Sequence, residues 1–324
     1  MATRSPAARV LIAGATALAV LAALVVGGVF LLRTVVDPLV GEPTCTAEVG
    51  GANTVVDLEQ ARYAATIAAV SVRRGLPARA ASIALATTYQ ESKILNLDYG
   101  DRDSVGLFQQ RPSQGWGTPQ QLMDPYYASN QFYAALEKID GYLSMPIHDA
   151  AQAVQRSADG SAYAQHEGRA RTLASALTGF SPAAFSCDID LPSVAAEQPG
   201  RQGLTPRAQA VRAEVELAFG DLPQGGFAPG GVESGHQEGS AHYDGRAIDI
   251  FFRPVNDDNQ RRGWALAQFL VAQAERMSIA TVIFDDRIWT AARSDQGWRE
   301  YGEGSESGDA AIRRHLDHVH VDVA

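Results

Sequence analysis

Residues 240–249 read Ser-Ala-His-Tyr-Asp-Gly-Arg-Ala-Ile-Asp, and residues 317–323 read Asp-His-Val-His-Val-Asp-Val. These stretches decide how the C-terminal part of the chain folds. The second alternates strictly, and side chains along a strand point to opposite faces in turn. His318, His320 and Asp322 therefore share one face, and Val319, Val321 and Val323 share the other, which belongs to a core. In the first stretch Asp249 stands between Ile248 and Ile250 on a predicted strand, AIDIFF, with His242 seven residues earlier. If the two strands pair, His242, Asp249 and His320 converge. Two imidazoles and one carboxylate make a three-ligand zinc site with a position open for water, whose pKa zinc lowers to about 7.

Working outward, residues 206–219 carry a helical pattern, 224–245 are glycine-rich, a helix is predicted over about 260–276, and TVIFD reads as another strand. Strands and helices in this order imply an α+β domain over 205–324. Residues 188–204, DIDLPSVAAEQPGRQGL, lack periodicity and read as a linker. Before them, helices are predicted over 58–74 (closed by Gly75 and Pro77), from 77 through AASIALATTYQES, over 119–143 and over 147–178. A glycine-rich span, 97–118, interrupts them. The domain over 58–187 is thus expected to be mostly α.

Residues 10–32 form one uncharged run, long enough at 1.5 Å per residue to cross a hydrocarbon core of about 30 Å. Arg4 and Arg9 precede it and place the N-terminus in the cytoplasm. A cleaved signal peptide would have a shorter apolar region, about 7–15 residues, ending in a small-residue site. The expected plan is a cytoplasmic tail (1–9), a transmembrane anchor in the lipid bilayer (10–32), a stalk (33–57) and two extracytoplasmic domains: a single-pass protein of the cell membrane. Outside the cytoplasm a cysteine pair oxidises. Cys45 and Cys187 would then form a disulfide across the first domain, with a loop-closure contribution of roughly 4–5 kcal/mol.

Composition agrees with folded domains, since 46% of the 324 residues are hydrophobic and 20% charged. A formal charge of −10 excludes a nucleic-acid partner, which needs a basic face. Lys93 and Lys138 are the only lysines among 27 basic residues, and alanine is abundant, the pattern of a GC-rich bacterial genome.

Glu91 falls at the C-terminal end of the second helix. The negative end of the helix dipole disfavours an ionised carboxylate there, which suits a general acid. Tyr99, Phe108 and Trp116 follow as aromatic faces for sugar rings, and Gln109 as a polar group for a substrate amide. Gln90-Glu91-Ser92, followed by Gly106-Leu107-Phe108-Gln109, resembles the lysozyme-like lytic transglycosylases over about residues 58–180. That resemblance implies that Glu91 protonates the glycosidic oxygen, that Gln109 lines the sugar site, and that the sugar's own hydroxyl closes the ring. The family's Ala-Tyr-Asn-Ala-Gly element is missing. Its place reads Ala153-Val154-Gln155-Arg156-Ser157-Ala158, with Tyr163 further on. Asp101 and Asp103 stand either as bases for a water, giving an inverting hydrolase, or as turn residues.

The 240–249 stretch fits S-x-H-x-x-G-x-A-x-D. Together with Asp317-His318-Val319-His320 it resembles the D-alanyl-D-alanine zinc peptidases, a superfamily that includes lysostaphin-type endopeptidases and the hedgehog signalling domain. The resemblance covers about 205–324 and implies zinc on His242, Asp249 and His320. His318 would stabilise the oxyanion, and Asp317 takes the place of the general base, with His315 as the alternative. Arg246, Arg253 and Arg293 are candidates to bind a terminal carboxylate. Both resemblances imply one polymer, peptidoglycan. The expected function is an anchored bifunctional wall hydrolase, cutting glycan with Glu91 and stem peptides or crosslinks with zinc. The alternatives are a non-catalytic wall-binding scaffold and a wall-opening component of a secretion or conjugation machine.

Overall fold

Residues 44–57, read from the sequence as the end of a stalk, are a β-hairpin in the computed structural model, which describes residues 42–156, 160–302 and 309–324. Strands β1 (Thr44–Val49) and β2 (Ala52–Asp57) pair antiparallel, with Val49 opposite Ala52. Gly50 and Gly51 join them at φ of 57° and 83°. A two-residue hairpin turn of this hand needs positive φ at both positions, which glycine adopts without a steric cost. Asp57 ends β2 and begins helix α1 (Leu58–Arg73). Its side chain accepts the Gln60 N–H at 2.8 Å, and the Gln60 side chain accepts the Asp57 N–H at 3.1 Å. This reciprocal cap turns strand into helix with no loop between them.

Helix α2 (Ala78–Ser92) follows, then α3 (Pro125–Leu136), α4 (Ile147–Gln155) and α5 (Glu167–Leu177). The two long helices expected over 119–143 and 147–178 are each broken. Asp124 caps a new start at Pro125, accepting the N–H groups of Tyr126 and Tyr127. Arg156 takes a left-handed conformation (φ 53°) that stops α4. After α5 comes β3 (Phe185–Asp188), which lies beside β1 and completes a sheet of order β2-β1-β3. Cys45 faces Cys187 across β1 and β3, and the two form a disulfide, buried on both sides.

The C-terminal half contributes α6 (Pro206–Phe219), β4 (Gln224–Gly225), β5 (Ala247–Phe251), α7 (Asp257–Ala272), β6 (Ile279–Phe284), β7 (Arg287–Thr290), β8 (Arg299–Glu300) and β9 (His318–Val323). The strands form one antiparallel sheet, β4-β5-β9-β6-β7-β8. β9, last in sequence, sits in the middle, and Val319, Val321 and Val323 are buried as the alternation predicts. Residues 43–324 make one compact unit. Gln268 of α7 is fully buried and joins the two halves. Its Oε1 accepts the N–H groups of Ala184 and Phe185 at 2.9 and 2.7 Å, and its Nε2 donates to the Ala176 carbonyl at 2.6 Å. The 188–204 stretch is tied down at both ends. Ile189 N–H donates to Ser294 Oγ at 2.9 Å, and Thr205 N–H donates to the Gly245 carbonyl at 2.9 Å.

The fold expected from sequence, an N-terminal transmembrane helix, a mostly α lysozyme-like domain and an α+β zinc-peptidase domain, is corrected in two respects. The described residues have mixed α/β content throughout, because the helical half is bracketed by β1, β2 and β3. No helix among the described residues is long and apolar enough to cross a membrane. The long helices α1 and α7 have 16 residues each, which is about 24 Å at 1.5 Å per residue. The predicted span 10–32 lies outside the described residues.

Candidate functional site

β5 and β9 pair so that Asp249 lies directly opposite His320. His242 reaches the same point from the turn before β5, where Gly245 and Arg246 N–H groups bond back to His242 and Ala241 carbonyls. His242 Nε2 is 3.1 Å from His320 Nδ1 and 3.2 Å from Asp249 Oδ1, and His320 Nδ1 is 3.1 Å from Asp249 Oδ1. All three residues are buried. On its outer side, His242 Nδ1 lies 2.7 Å from the Gly226 carbonyl, and His320 Nε2 lies 3.3 Å from Asp322 Oδ2. Each outer partner accepts an N–H, so a cation that displaces the inner protons would meet a lone pair on each inner nitrogen. Two lone pairs and a carboxylate oxygen then face one another at close range, an arrangement that a cation stabilises. Around a tetrahedral ion with bonds of about 2.0–2.1 Å, ligand atoms lie about 3.3 Å apart. The donor set and its spacing fit a divalent metal.

Gly226 makes room for this arrangement. A Cβ there would lie 2.3 Å from His242 Cε1 and 3.0 Å from Asp249 Oδ2. Electrostatics follow from the clustering. Burial raises the Asp249 carboxyl's pKa, but the hydrogen bonds with His242 and His320 outweigh it and hold it well below the usual carboxylate range. Burial lowers His320, yet its bonds to Asp249 and Asp322 lift it to about 9. His315, half-buried and facing the His318 and His320 rings, is pushed down to about 3, by burial first and then by those rings.

A second layer surrounds the three. His318 Nδ1 lies 2.7 Å from Asp317 Oδ1, and Arg253 Nε donates to Asp317 Oδ2 at 2.6 Å. His318 Nε2 is 3.9 Å from Asp249 Oδ1. Asp317, read from the sequence as the base, has both oxygens held by these two partners and stands outside the cavity wall that His318 lines. That cavity, of about 680 Å³, is open to solvent and is also lined by His236, Arg246, Arg253 and His315. Arg246 donates to the Val323 carbonyl at 2.9 Å and to Asp244 at 3.0 Å. Arg253 is half exposed and lies 4.1 Å over the Phe251 ring. Arg293 is not among the lining residues. Sequence reading passed over His236 as a site residue. Its ring stacks on His242 with centroids 3.9 Å apart, and a nitrogen of each ring and an Asp249 oxygen all lie within 4.8 Å of one another.

The Glu91 region is built differently. Glu91 is partly buried in the last turn of α2, and Tyr163 Oη donates to its Oε1 at 2.6 Å. Ser92 Oγ donates to the Leu107 carbonyl at 2.7 Å, fixing the Gly-Leu-Phe-Gln turn to the helix end. Tyr163, noted in the sequence only as lying beyond the missing Asn-containing element, is the residue that meets the carboxylate. Gln109 Nε2 donates to the Tyr99 and Gly106 carbonyls, both at 3.2 Å, which ties its amide nitrogen to the turn. Trp116 is half buried against the core. Asp103 is a turn residue: it accepts from Ser113 N–H and Arg111 Nε, each at 2.7 Å. Asp101 is exposed beside Arg102.

No curated protein matches the chain. Over residues 200–311, a span that holds His236, His242 and Asp249 and stops before β9, the chain is similar to the family described as VldE, C-terminal domain.

Proposed function

We propose that this protein is a peptidoglycan hydrolase: its C-terminal half a metal-dependent peptidase acting on stem peptides or crosslinks, its helical half a glycosidase acting on the glycan strand. One observation carries the reading. The inner atoms of His242, Asp249 and His320 lie 3.1–3.2 Å apart with outer N–H groups already bonded. The ion assigned is zinc, which takes imidazole and carboxylate ligands and leaves a fourth position open in catalytic sites. When bound, zinc supplies a water that ionises near neutral pH and polarises a peptide carbonyl.

The chain's own groups do the rest. Asp317 accepts the His318 Nδ1–H, so Nε2 is the nitrogen left to take a proton from water and return it to the leaving amine. Burial raises the Asp317 carboxyl, but His318 and Arg253 outweigh it and keep its pKa lowered and the group ionised. Asp317 in this reading orients His318 and moves no proton itself. In the other half, Tyr163 holds Glu91 Oε1, and Oε2 delivers a proton to the glycosidic oxygen. The Cys45–Cys187 disulfide accords with an oxidising, extracytoplasmic compartment, where such a substrate lies.

The test is digestion of purified peptidoglycan by the full-length chain, with products read by mass spectrometry. Trimmed peptides should disappear with chelator and in His242→Ala. Anhydro-sugar or reducing-end fragments should fall at least about 100-fold in Glu91→Gln, the scale of losing a general acid. A metal-loaded protein that yields neither product overturns the reading in favour of a non-catalytic wall-binding role.

A further inference from the structure

We propose that His236 is an exchangeable fourth protein ligand to the metal held by His242, Asp249 and His320, closing, when it advances, the position that a catalytic water takes when it withdraws. The inference rests on the metal site proposed above and deepens it. A ring nitrogen of His236 lies within 4.8 Å of ligand atoms of both His242 and Asp249, and the ring lines the cavity over them. Its stacking against His242, at 3.9 Å and 22°, holds it over the site.

The backbone is placed by the same turn that places His242. Tyr243, the next residue, accepts the His236 N–H at 3.1 Å and donates its hydroxyl proton to the His236 carbonyl at 2.6 Å. One phenol thereby holds both backbone polar groups of the residue. The flanks are free of such packing. Gly230, Gly231, Gly235 and Gly239 all have positive φ, and a Cβ at any of them would meet nothing within 4 Å. A histidine held by one side chain, on a loop with open space around its glycines, can advance to the ion or withdraw. Four protein ligands make a closed site, and three with a water make a catalytic one. His236 would select between these two states.

Zinc affinity of the full-length chain, measured by chelator competition, and the azide response of the cobalt-loaded protein test this. His236→Phe keeps a ring to stack on His242 and has no nitrogen to bind metal. Tyr243→Phe leaves the imidazole in place and removes the hydroxyl that holds it. The expected result is at least a tenfold loss of zinc affinity in His236→Phe and a smaller loss in Tyr243→Phe. Azide should perturb the cobalt spectrum of both variants at concentrations at least tenfold below those the wild type requires. Equal affinities within twofold and equal azide responses in all three proteins overturn the inference and leave the three-ligand site standing. A wild-type chain that takes up no stoichiometric zinc overturns the metal site itself, and the inference with it.

Discussion

A methyl group at position 226 would collide with the His242–Asp249–His320 cluster. Gly226 has φ of 78°, a conformation that disfavours any side chain, and an added Cβ would stand 2.3 Å from the His242 ring. That contact is with the imidazole itself, so the ring must move and its bond to the Gly226 carbonyl must break. Gly226→Ala should cost about 1 kcal/mol in backbone strain and lower zinc affinity at least tenfold, read by calorimetric titration. Unchanged affinity would show that the centre does not depend on this close approach. His242, Asp249 and His320 were legible from spacing and strand alternation. Gly226 and His236 were not, because a glycine-rich loop has no period, and its contact with the ring is made by folding. Asp103 allows a test by pH. The Ser113 N–H first, then the Arg111 guanidinium and the Ser113 hydroxyl, hold its carboxyl well below the ordinary range. A depressed folded pKa contributes stability above the unfolded value, near 4, and loses it as pH falls through the folded value. Asp103→Asn should therefore lower Tm at pH 7, and the difference from wild type should shrink towards pH 2.

At the scale of elements, local signals succeeded where the chain itself carries the stop and start. α1 and α6 begin on Asp57 and Thr205, whose side chains cap them, and β9 spans the alternating run. The long helices expected over 119–143 and 147–178 were overextended, since apolar periodicity continues across breaks made at Asp124-Pro125 and Arg156. β1 and β2 were missed because Gly50-Gly51 reads equally as a linker and as a hairpin turn. A third strand, β3, 142 residues from Cys45 along the chain at Cys187, makes that hairpin part of a sheet. Gln268 shows what holds α7 against it. Removing its amide takes the acceptor from the Ala184 and Phe185 N–H groups, while the Ala176 carbonyl keeps the Gly179 N–H. Gln268→Leu should destabilise the protein by about 2–4 kcal/mol, measured by urea unfolding. A change under 0.5 kcal/mol would mean that water or a shifted backbone satisfies these groups.

For the whole molecule the two halves are mechanically one. Gly179, after α5, lies so close to α7 that a Cβ would stand 1.9 Å from the Arg261 carbonyl. Residues 43–324 should accordingly unfold in a single calorimetric transition. Two resolved transitions would show that the N- and C-terminal halves fold apart. The disulfide closes a sequence separation of 142, for which chain entropy predicts about 5 kcal/mol of stabilisation. Reduction, or the Cys45→Ser/Cys187→Ser pair, should lower the one transition as a whole, because β1 and β3 belong to the same compact unit as the His242–Asp249–His320 cluster.

Periodicity and spacing are local properties, and they sufficed to say which side chains share a face: valines inward on β9, His318, His320 and Asp322 on the other side, Glu91 at a helix end. They also sufficed to pair the two cysteines, since the chain has no others. Which atoms meet depends on non-local pairing, and that came only with the tertiary structure. Asp317 turned from the centre to bond His318 and Arg253 because β9 enters the sheet beside β5. Tyr163 reached Glu91 from 72 residues away because the 160–166 turn packs on the end of α2. His236 came over His242 through a hydroxyl on the residue after it. A side chain's face follows from the backbone period around it, whereas its partner is chosen by burial and hydrogen bonding with segments that the local sequence does not contain.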